Sequence, residues 1–324
     1  MMQADARTAG QPMVCFGLPV FNGERYLEKC LDSLLAQTFE DFEIRVCDNA
    51  SSDRTEEICR DYLSRDKRVK YHRHASNLGG PRNFNHSFAI SEARLFKWAA
   101  HDDELRPSYL ERCVALLEGG PDFVGAHTDV ELIGPESESL EYNESLGGFV
   151  DEAGRVRRDK VNDVLFDHSD PVERFRSIIR RRVWHPVWGL YRREQMARTG
   201  LLRPFWGNDK AFIVEMGLQG AIGIVDEKLF RMRCHAASAG NLPFTNVNRW
   251  LKGNNTTTKP LEPQIAAVKA YAAVISNAPL NPWQKLRCAM TLFEVGLGSN
   301  KWNRQSFLGA GSLLASVGIR SNRG

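Results

Sequence analysis

The feature that most constrains the fold of this chain is a regular alternation of short apolar runs and helix-like segments in its first half. The apolar runs begin at Val14, Phe42, Val69, Leu95 and Phe123, and apolar residues at helical spacing follow the first four of them. Five such runs over roughly the first 125 residues predict a mostly parallel sheet with helices on both faces and right-handed crossovers. We therefore expect an α/β fold.

Length, charge and cysteine content exclude several classes of protein. A chain of 324 residues can bury a sizeable core, and its net charge of +3 is too small to argue for a nucleic-acid partner. The seven cysteines are scattered and form no CxxC pair, which favours a reducing compartment over a disulfide framework or a zinc cluster. The polar first twelve residues and the lack of a run of about 18 apolar residues predict a cytoplasmic protein without a signal peptide or a spanning segment.

Polar side chains follow four of the predicted strands. The four strand ends carry, in chain order, Pro19-Val20-Phe21-Asn22-Gly23-Glu24, Asp48-Asn49-Ala50-Ser51-Ser52-Asp53, Asn77-Leu78-Gly79-Gly80 and His101-Asp102-Asp103. Each has a structural alternative, since Asn-Gly is a good turn, Asp53 a good N-cap and the glycine pair merely flexible. The carboxyl ends of parallel strands share one sheet edge, so the four together predict a nucleotide crevice there.

The adjacent acids Asp102 and Asp103 are the most informative of these residues. They follow a short apolar run, and Pro107 then opens a helical pattern. Two neighbouring carboxylates at the end of a buried strand are unfavourable unless a cation or a substrate lies against them. The alternative is that one of them caps the helix that starts near Pro107.

The order of these segments closely resembles that of family 2 glycosyltransferases of the GT-A fold. The resemblance includes a further segment between the first two, Ser33-Leu34-Leu35-Ala36-Gln37-Thr38. The resemblance is close over residues 13–130 and looser over 184–238. It implies a three-layer α/β/α sandwich with a mostly parallel central sheet and a C-terminal helical appendage. It also implies a flexible N-terminus at 1–12, a catalytic domain at 13–240 and the appendage at 241–324. Within the catalytic domain, residues 13–130 would bind the nucleotide sugar and 131–240 would face the acceptor.

The same resemblance implies the donor site. The base and ribose of the nucleotide sugar would be held by the first strand-end loop and by the acid after the second strand. These residues are Pro19, Phe21, Asn22, Glu24 and Asp48. A carboxylate suits a base N–H, because ionised acceptors make the stronger hydrogen bonds. The nucleotide or donor sugar would be bordered by Asn77, Gly80 and Arg82. For Glu24 and Arg82 the alternative is a solvated helix start.

A divalent cation, Mg²⁺ or Mn²⁺, would bridge the diphosphate beside Asp102 and Asp103, since such ions prefer oxygen ligands. The family motif is Asp-x-Asp-Asp, and Ala100 stands in place of its first acid, which we interpret as variation within a subgroup. We expect Asp103 to be a metal ligand and Asp102 to border the substrate. By resemblance His235 would add a metal ligand or a phosphate contact; the alternative is an ordinary surface histidine.

The acceptor side is implied by residues further along the chain. Trp184 and His185 would line the acceptor pocket, where aromatic faces suit sugar rings, although core packing is the alternative. Asp209 aligns with the acid that serves relatives as general base, and its alternative role is to cap the helix that follows. The polar segment 134–169 suggests a flexible loop or lid over this side.

The implied activity is that of an inverting glycosyltransferase. It would move a sugar from a UDP- or dTDP-linked donor to a hydroxyl of a cell-surface glycan or lipid-linked acceptor, in cell-envelope polysaccharide synthesis. A nucleotidyltransferase is the first alternative, but that class carries a Gly-rich basic loop where Asn22-Gly23-Glu24 stands. A non-catalytic nucleotide-sugar-binding scaffold is the second, motivated by Ala100. The mildly amphipathic stretch at 307–319 is compatible with peripheral contact at the inner face of a membrane or with packing on the catalytic domain.

Overall fold

The computed structural model describes residues 11–120, 123–157, 166–181, 184–205, 207–236, 238, 244–253 and 263–298. Residues 1–10 of the expected flexible N-terminus and the amphipathic stretch at 307–319 lie outside the described residues, as do positions 158–165 of the expected lid.

All five strands predicted for the first half are present. They are β1 (Val14–Val20), β2 (Phe42–Asp48), β3 (Val69–Arg73), β4 (Leu95–Trp98) and β6 (Phe123–Ile133), with a short extra strand β5 (Glu104–Leu105). The intervening helices are α1 (Leu27–Leu35), α2 (Thr55–Arg65), α3 (Gly80–Ala89) and α4 (Tyr109–Gly119). In α1 the buried residues Leu27, Leu31 and Leu34 recur at helical spacing, which is why the helix packs by one face.

The second half of the chain completes the sheet. Strands β10 (Leu190–Arg192) and β11 (Ala221–Arg233) join an eight-stranded sheet of order β3-β2-β1-β4-β10-β6-β11-β5. Strand β10 runs antiparallel to β4 and β6, and β5 runs antiparallel to β11, whereas the other pairings are parallel. The mostly parallel sheet is therefore confirmed. Its strand order reverses between β1 and β4, the point at which open α/β sheets form their ligand crevice.

The sheet lies between two helical layers, because alternate side chains of each strand face opposite sides. Phe16 and Leu18 of β1 belong to one buried cluster with α1, α2 and α4. Phe96 and Trp98 of β4 belong to a second buried cluster with α3, α5 (Pro171–Arg180) and α7 (Asn208–Gln219). The three-layer α/β/α sandwich predicted from the sequence is confirmed.

Two segments that follow β6 adopt structure that the sequence pattern did not specify. The polar segment expected as a loop or lid contains a three-stranded sheet of β7 (Tyr142–Asn143), β8 (Gly148–Val150) and β9 (Val156–Arg157). These strands are too short to give a readable alternation of apolar residues. The aromatic run at 184–191 forms a 3-10 turn, His185–Trp188, and only then enters β10.

Helices α8 (Phe244–Lys252), α9 (Pro263–Asn277) and α10 (Pro282–Gly298) follow the sheet, and a short helix α6 (Arg193–Ala197) follows β10. Tyr271 and Val274 of α9 and Cys288 of α10 are buried in the same cluster as α5 and α7. Arg287 of α10 also pairs with Asp170, 3.1 Å away, just before α5. The C-terminal helices thus extend the second helical layer. Within the described residues, no helix is both long enough and apolar enough to cross a bilayer.

Candidate active site

The loops that follow β1 and β2 are joined by hydrogen bonds at the carboxyl edge of the sheet. The amide of Asn22 donates to Ser51 Oγ over 2.9 Å, and the amide of Ser52 donates to Asn22 Oδ1 over 2.9 Å. The amide of Gly23 donates to Thr55 Oγ1 over 2.8 Å. Asn22 has a φ of 51°, a left-handed conformation that Asn tolerates better than most residues. The first two predicted strand-end loops therefore form one surface.

Asp48 supports this surface from below. Its side chain is fully buried and accepts hydrogen bonds from the Ser51 amide and the Tyr71 hydroxyl, both over 2.8 Å. Arg73 Nε lies 3.3 Å from the same carboxylate. Ser51, Tyr71 and Arg73 therefore hold the Asp48 carboxylate in place beneath the joined loops.

The other expected donor residues of the first loop differ in exposure. Phe21 is 44% exposed at the strand end, whereas Pro19 is buried in β1. The carboxylate of Glu24 accepts from the amide of Arg54 over 3.1 Å and so helps to hold the start of α2. Arg82 is exposed near the start of α3.

The loop after β3 joins the same edge. Asn49 Nδ2 donates to Asn77 Oδ1 over 3.0 Å, which connects this loop to the β2 loop. Gly79 has a φ of +86°, and a Cβ there would lie 2.7 Å from the carbonyl oxygen of Leu251. A Cβ on Gly80 would lie 2.7 Å from the ring of Trp250. Helix α8 therefore rests directly on this loop, and only glycine allows the close approach.

The loop after β4 completes the edge. A Cβ on Gly23 would lie 2.8 Å from the ring of His101, so the β1 and β4 loops are in contact. The next residue, Asp102, forms a hydrogen bond of 2.9 Å between its Oδ2 and Nε2 of His235. The ring of His235, which is 6% exposed, lies 4.8 Å from that of Tyr26. The predicted meeting of strand ends at one edge is thus present, with the end of β11 added to it.

Arg233, at the end of β11, fixes the geometry of both acids. Its guanidinium is completely buried and donates to the carbonyls of Asp102 and Gly134, each over 2.8 Å, and to the carboxylate of Glu104. Its amide donates to Asp103 Oδ1 over 2.8 Å. Sequence reasoning missed Arg233 and Glu104. The signal available was the period-two spacing of Arg231 and Arg233 at the end of β11, where they alternate with Phe230 and Met232.

The surroundings shift the pKa values of the two acids in opposite directions. Burial alone would raise the pKa of Asp102, but the hydrogen bond from His235 and the nearby ring of His101 outweigh it and hold that pKa below its ordinary value. Burial and the neighbouring Asp102 raise the pKa of Asp103 well above its ordinary value. Adjacent carboxylates resist joint ionisation in this way unless a cation shares their charge.

The donor atoms at this point fit a divalent cation. Ligands about 2.1 Å from an octahedral ion lie about 3 Å apart, and Asp102 Oδ2 and His235 Nε2 are separated by 2.9 Å. The side chain of Asp102 is 19% exposed and so reaches the surface of the edge. Asp103, the ligand expected from the sequence, is 8% exposed and is held from behind by Arg233. In this geometry Asp102 and His235 are better placed than Asp103 to contact a cation.

Lys97 is a basic residue inside the sheet that no sequence motif marks as part of the site. It is 1% exposed, donates to the carbonyl of Trp188 and lies 4.8 Å from the ring centre of Tyr109. Burial lowers the pKa of Lys97 to about 8, although the nearby Asp103 opposes the shift. Lys97 and Asp103 line the same small cavity beneath the β4 loop, so the ammonium group offsets part of the acidic charge there.

The expected acceptor-side residues form a separate group. His185 is 5% exposed, and burial lowers its pKa to about 3. Trp184, half-buried, meets it edge to face with ring centres 5.6 Å apart. Asp209 lies in the first turn of α7 and accepts from the amide of Lys210 over 2.8 Å. Burial raises the pKa of Asp209 above its ordinary value and is only partly offset by Lys210.

Comparison with known proteins identifies the family. The model of glycosyl transferase family 2 matches residues 15–184, which span β1 to the start of the 3-10 turn. An uncharacterized glycosyltransferase of Rickettsia typhi is 30% identical over 157 residues, covering 48% of this chain and 46% of that protein. The matched segment thus spans about half the length of that relative.

Solved structures share the fold. A structure of S. aureus TarS residues 1–349 in complex with UDP-GlcNAc superposes with a TM-score of 0.62 at 18% identity. The match covers 94% of this chain and 81% of the TarS 1–349 chain. The mannosyltransferase PcManGT from Pyrobaculum calidifontis, in complex with GDP-Man and Mn²⁺, gives a TM-score of 0.52 at 15% identity and covers 95% of this chain and 81% of its own. The fold, the sheet-edge site and the matched sequence model lead to one conclusion: this chain belongs to glycosyl transferase family 2.

Proposed function

We propose that the protein is an inverting, metal-dependent glycosyltransferase that moves a sugar from a UDP- or dTDP-linked donor to a hydroxyl of a glycan or lipid-linked acceptor. The observation that carries the proposal is the pairing of Asp102 with His235 beside the crevice between β1 and β4. A carboxylate and an imidazole at this position suit a nucleotide diphosphate and its cation.

The donor would lie across the joined loops of β1, β2 and β3. The exposed Phe21 suits stacking on a base. The Asp48 carboxylate beneath the loops is the proposed acceptor for a base N–H. Asn22, Asn77, Gly80 and Arg82 border the remaining length of the nucleotide sugar, while Pro19 and Glu24 shape the loop. The TarS complex with UDP-GlcNAc and the PcManGT complex with GDP-Man support a nucleotide sugar as the ligand.

Mg²⁺ or Mn²⁺ would be held by Asp102 and His235, with Asp103 as the second carboxylate behind them. This assignment moves the leading metal role from Asp103, as expected from the sequence, to Asp102, because the Asp102 carboxylate is the more exposed and contacts His235. A bound cation supplies neutralising charge for the departing diphosphate. The Mn²⁺ in the PcManGT complex supports a metal at such a site.

Asp209 is the proposed general base. Its carboxylate would take the proton of the acceptor hydroxyl while that oxygen forms a bond to the anomeric carbon and the bond to the diphosphate breaks. A pKa raised by burial suits this role, because a base is most effective when its pKa approaches the working pH. Trp184 and His185, on the turn that packs near α7, would line the acceptor pocket.

We further propose that residues 13–240 form the catalytic domain and that the C-terminal helices complete its second layer, since Tyr271 and Val274 share a buried cluster with Phe212. The scattered cysteines, which form no CxxC pair, support the proposal of a cytoplasmic location, because a reducing environment needs no disulfide framework.

A thermal-shift panel of nucleotide sugars, each with and without Mn²⁺, tests the proposal. We expect one class of nucleotide sugar to raise the melting temperature only when Mn²⁺ is present, and we expect slow hydrolysis of the same donor. Binding of UDP that ignores Mn²⁺, without donor hydrolysis, would identify a non-catalytic scaffold. Release of pyrophosphate from a nucleoside triphosphate and a sugar phosphate would identify a nucleotidyltransferase.

A further inference from the structure

Three histidines meet on the far side of β3, outside the active-site edge. His72 and His74 are two positions apart in β3 and its extension, so their side chains face the same side of the sheet. Helix α3 packs on that face and contributes His86. The ring centres of His72 and His86 lie 4.7 Å apart, and those of His74 and His86 lie 4.6 Å apart. One ring nitrogen of each histidine lies within 4.8 Å of the other two.

A neighbouring amide fixes the tautomer of His74. Asn83, which is 2% exposed, donates through Nδ2 to the carbonyl of Cys47 over 2.8 Å. Because a carbonyl only accepts, this bond sets the orientation of the amide and leaves Oδ1 as the atom facing His74 Nε2, 3.0 Å away. His74 Nε2 therefore carries the proton and donates it, and Nδ1 keeps its lone pair. An oxygen acceptor behind one ring nitrogen is the usual partner of a metal-binding imidazole.

His86 gives a second, independent indication of a ligand. Its Nε2 is buried and has no hydrogen-bond partner among the described residues. A buried ring nitrogen without a partner is unfavourable unless something else in the site contacts it. Burial lowers the pKa of His74, opposed by the hydrogen bond to Asn83 and assisted by His72, and burial with His74 and His72 lowers the pKa of His86. Both shifts favour neutral imidazole, the form that binds a metal.

We propose that His72, His74 and His86 form a binding site for a divalent transition-metal cation of the Zn²⁺ class, separate from the site at Asp102. Three imidazoles without a carboxylate favour Zn²⁺, Co²⁺ or Ni²⁺ over Mg²⁺ or Ca²⁺. His72 is exposed on the edge strand, so water can occupy a fourth position.

The proposed ion would link α3 to β3 next to the end of β2, which supports the active-site edge. The amide of His74 donates to the carbonyl of Asp48 over 2.9 Å, and Asn83 binds the carbonyl of Cys47. The residues around the three histidines therefore hold the end of β2, from which the Asp48 carboxylate supports the joined loops. A metal at this point would act by stabilising structure and would touch neither substrate nor reacting atoms.

Titration of the full chain with Co²⁺, followed by visible absorption, tests the proposal. We expect a stoichiometric site with the absorption of Co²⁺ bound by nitrogen ligands in fewer than six positions. His72→Ala, which removes an exposed side chain, should weaken Co²⁺ binding by at least about tenfold and remove that absorption. His72→Cys restores a ligand, so binding should return with a new near-ultraviolet band from thiolate-to-metal charge transfer.

Matched variants separate this site from others. His168→Ala removes a histidine from a different part of the chain and should leave the titration unchanged, and Asp102→Asn should also keep the visible band. Thermal unfolding in excess chelator shows whether each variant is folded, and we expect wild type and His72→Ala to coincide there. A wild-type titration without the visible band, or a spectrum that is the same in wild type, His72→Ala and His86→Ala, would overturn the proposal.

Discussion

His235 follows Asp102 by 133 positions in the chain, yet its Nε2 lies 2.9 Å from Oδ2 of that aspartate. Strand β11 makes the contact possible, because it runs parallel to β6 and ends beside the β4 loop. There Arg233 donates a hydrogen bond to the backbone carbonyl of Asp102. The candidate metal site is therefore a product of sheet topology, since its two sides come from opposite halves of the chain.

Arg233 should contribute most to the stability of this region. Arg233→Met leaves the buried carboxylate of Glu104 with fewer donors and removes the guanidinium donors of the Asp102 and Pro135 carbonyls, while the Gly134 carbonyl keeps the Ser137 amide. We therefore expect a loss of about 3–5 kcal/mol in the free energy of unfolding, measured with urea. Arg112→Met is the control, because its pair with Glu227 is exposed and should contribute less than about 1 kcal/mol. Similar losses in both variants would show that burial of Arg233 is not the source of its effect.

The close approach of α8 to the β3 loop predicts a contrast between two glycines. Gly79 and Gly154 both have positive φ, but only Gly79 has backbone atoms of Leu251 and Gly253 within 3 Å of a Cβ position. Gly154→Ala should cost about 1 kcal/mol of unfolding free energy through backbone strain alone. Gly79→Ala adds overpacking and should cost about 2–4 kcal/mol. Equal losses would mean that α8 does not rest on this loop in solution.

His127 predicts a specific acid sensitivity. Burial lowers its pKa from 6.5 to about 4, and its ring is 3% exposed. Between those pH values the unfolded chain binds a proton that the folded chain does not, so stability falls as pH decreases from 6.5 towards 4, by about 3 kcal/mol. His127→Asn removes this term and keeps a donor for the carbonyl of Thr128, so the unfolding free energy of the variant should decline less over this window. Parallel pH profiles for variant and wild type would rule out His127 as the source.

Asp209 predicts a separation of binding from turnover. Asp209→Asn keeps the size of the side chain and loses the basic oxygen, so kcat should fall by about 10²–10⁴ while donor affinity stays within about twofold. Steady-state kinetics and donor titration of the same preparation measure both quantities. If donor affinity falls in parallel with kcat, Asp209 belongs to donor binding or to folding.

Local pattern was sufficient to predict β1–β4, β6 and the helices between them. The run at Val14 is continuous and apolar because β1 is buried along its whole length, whereas Glu43 and Arg45 interrupt the run at Phe42 although most of β2 is buried. The polar residues after both strands mark the carboxyl edge. The resemblance to the family then supplied roles for Asp48, Asp102 and His235, and the structure adds how these residues are held.

The rest of the site depends on contacts that sequence spacing does not encode. Strand β10 contains Leu190–Arg192 and inserts between β4 and β6, a pairing that no local signal specifies. The partnership of Arg233 with Glu104 and of Trp250 with Gly80 joins distant segments. The histidine cluster was overlooked because His86 approaches β3 only after α3 packs on the sheet.

The most direct test of the account is calorimetric titration of UDP into wild type, Asp102→Asn and Asp103→Asn, each with and without Mn²⁺. We predict that Mn²⁺ strengthens UDP binding to wild type by at least about tenfold and that Asp102→Asn abolishes this dependence, while Asp103→Asn retains part of it. The account is contradicted if UDP binds Asp102→Asn with the same Mn²⁺ dependence as wild type, because the cation would then not be held at the Asp102–His235 pair.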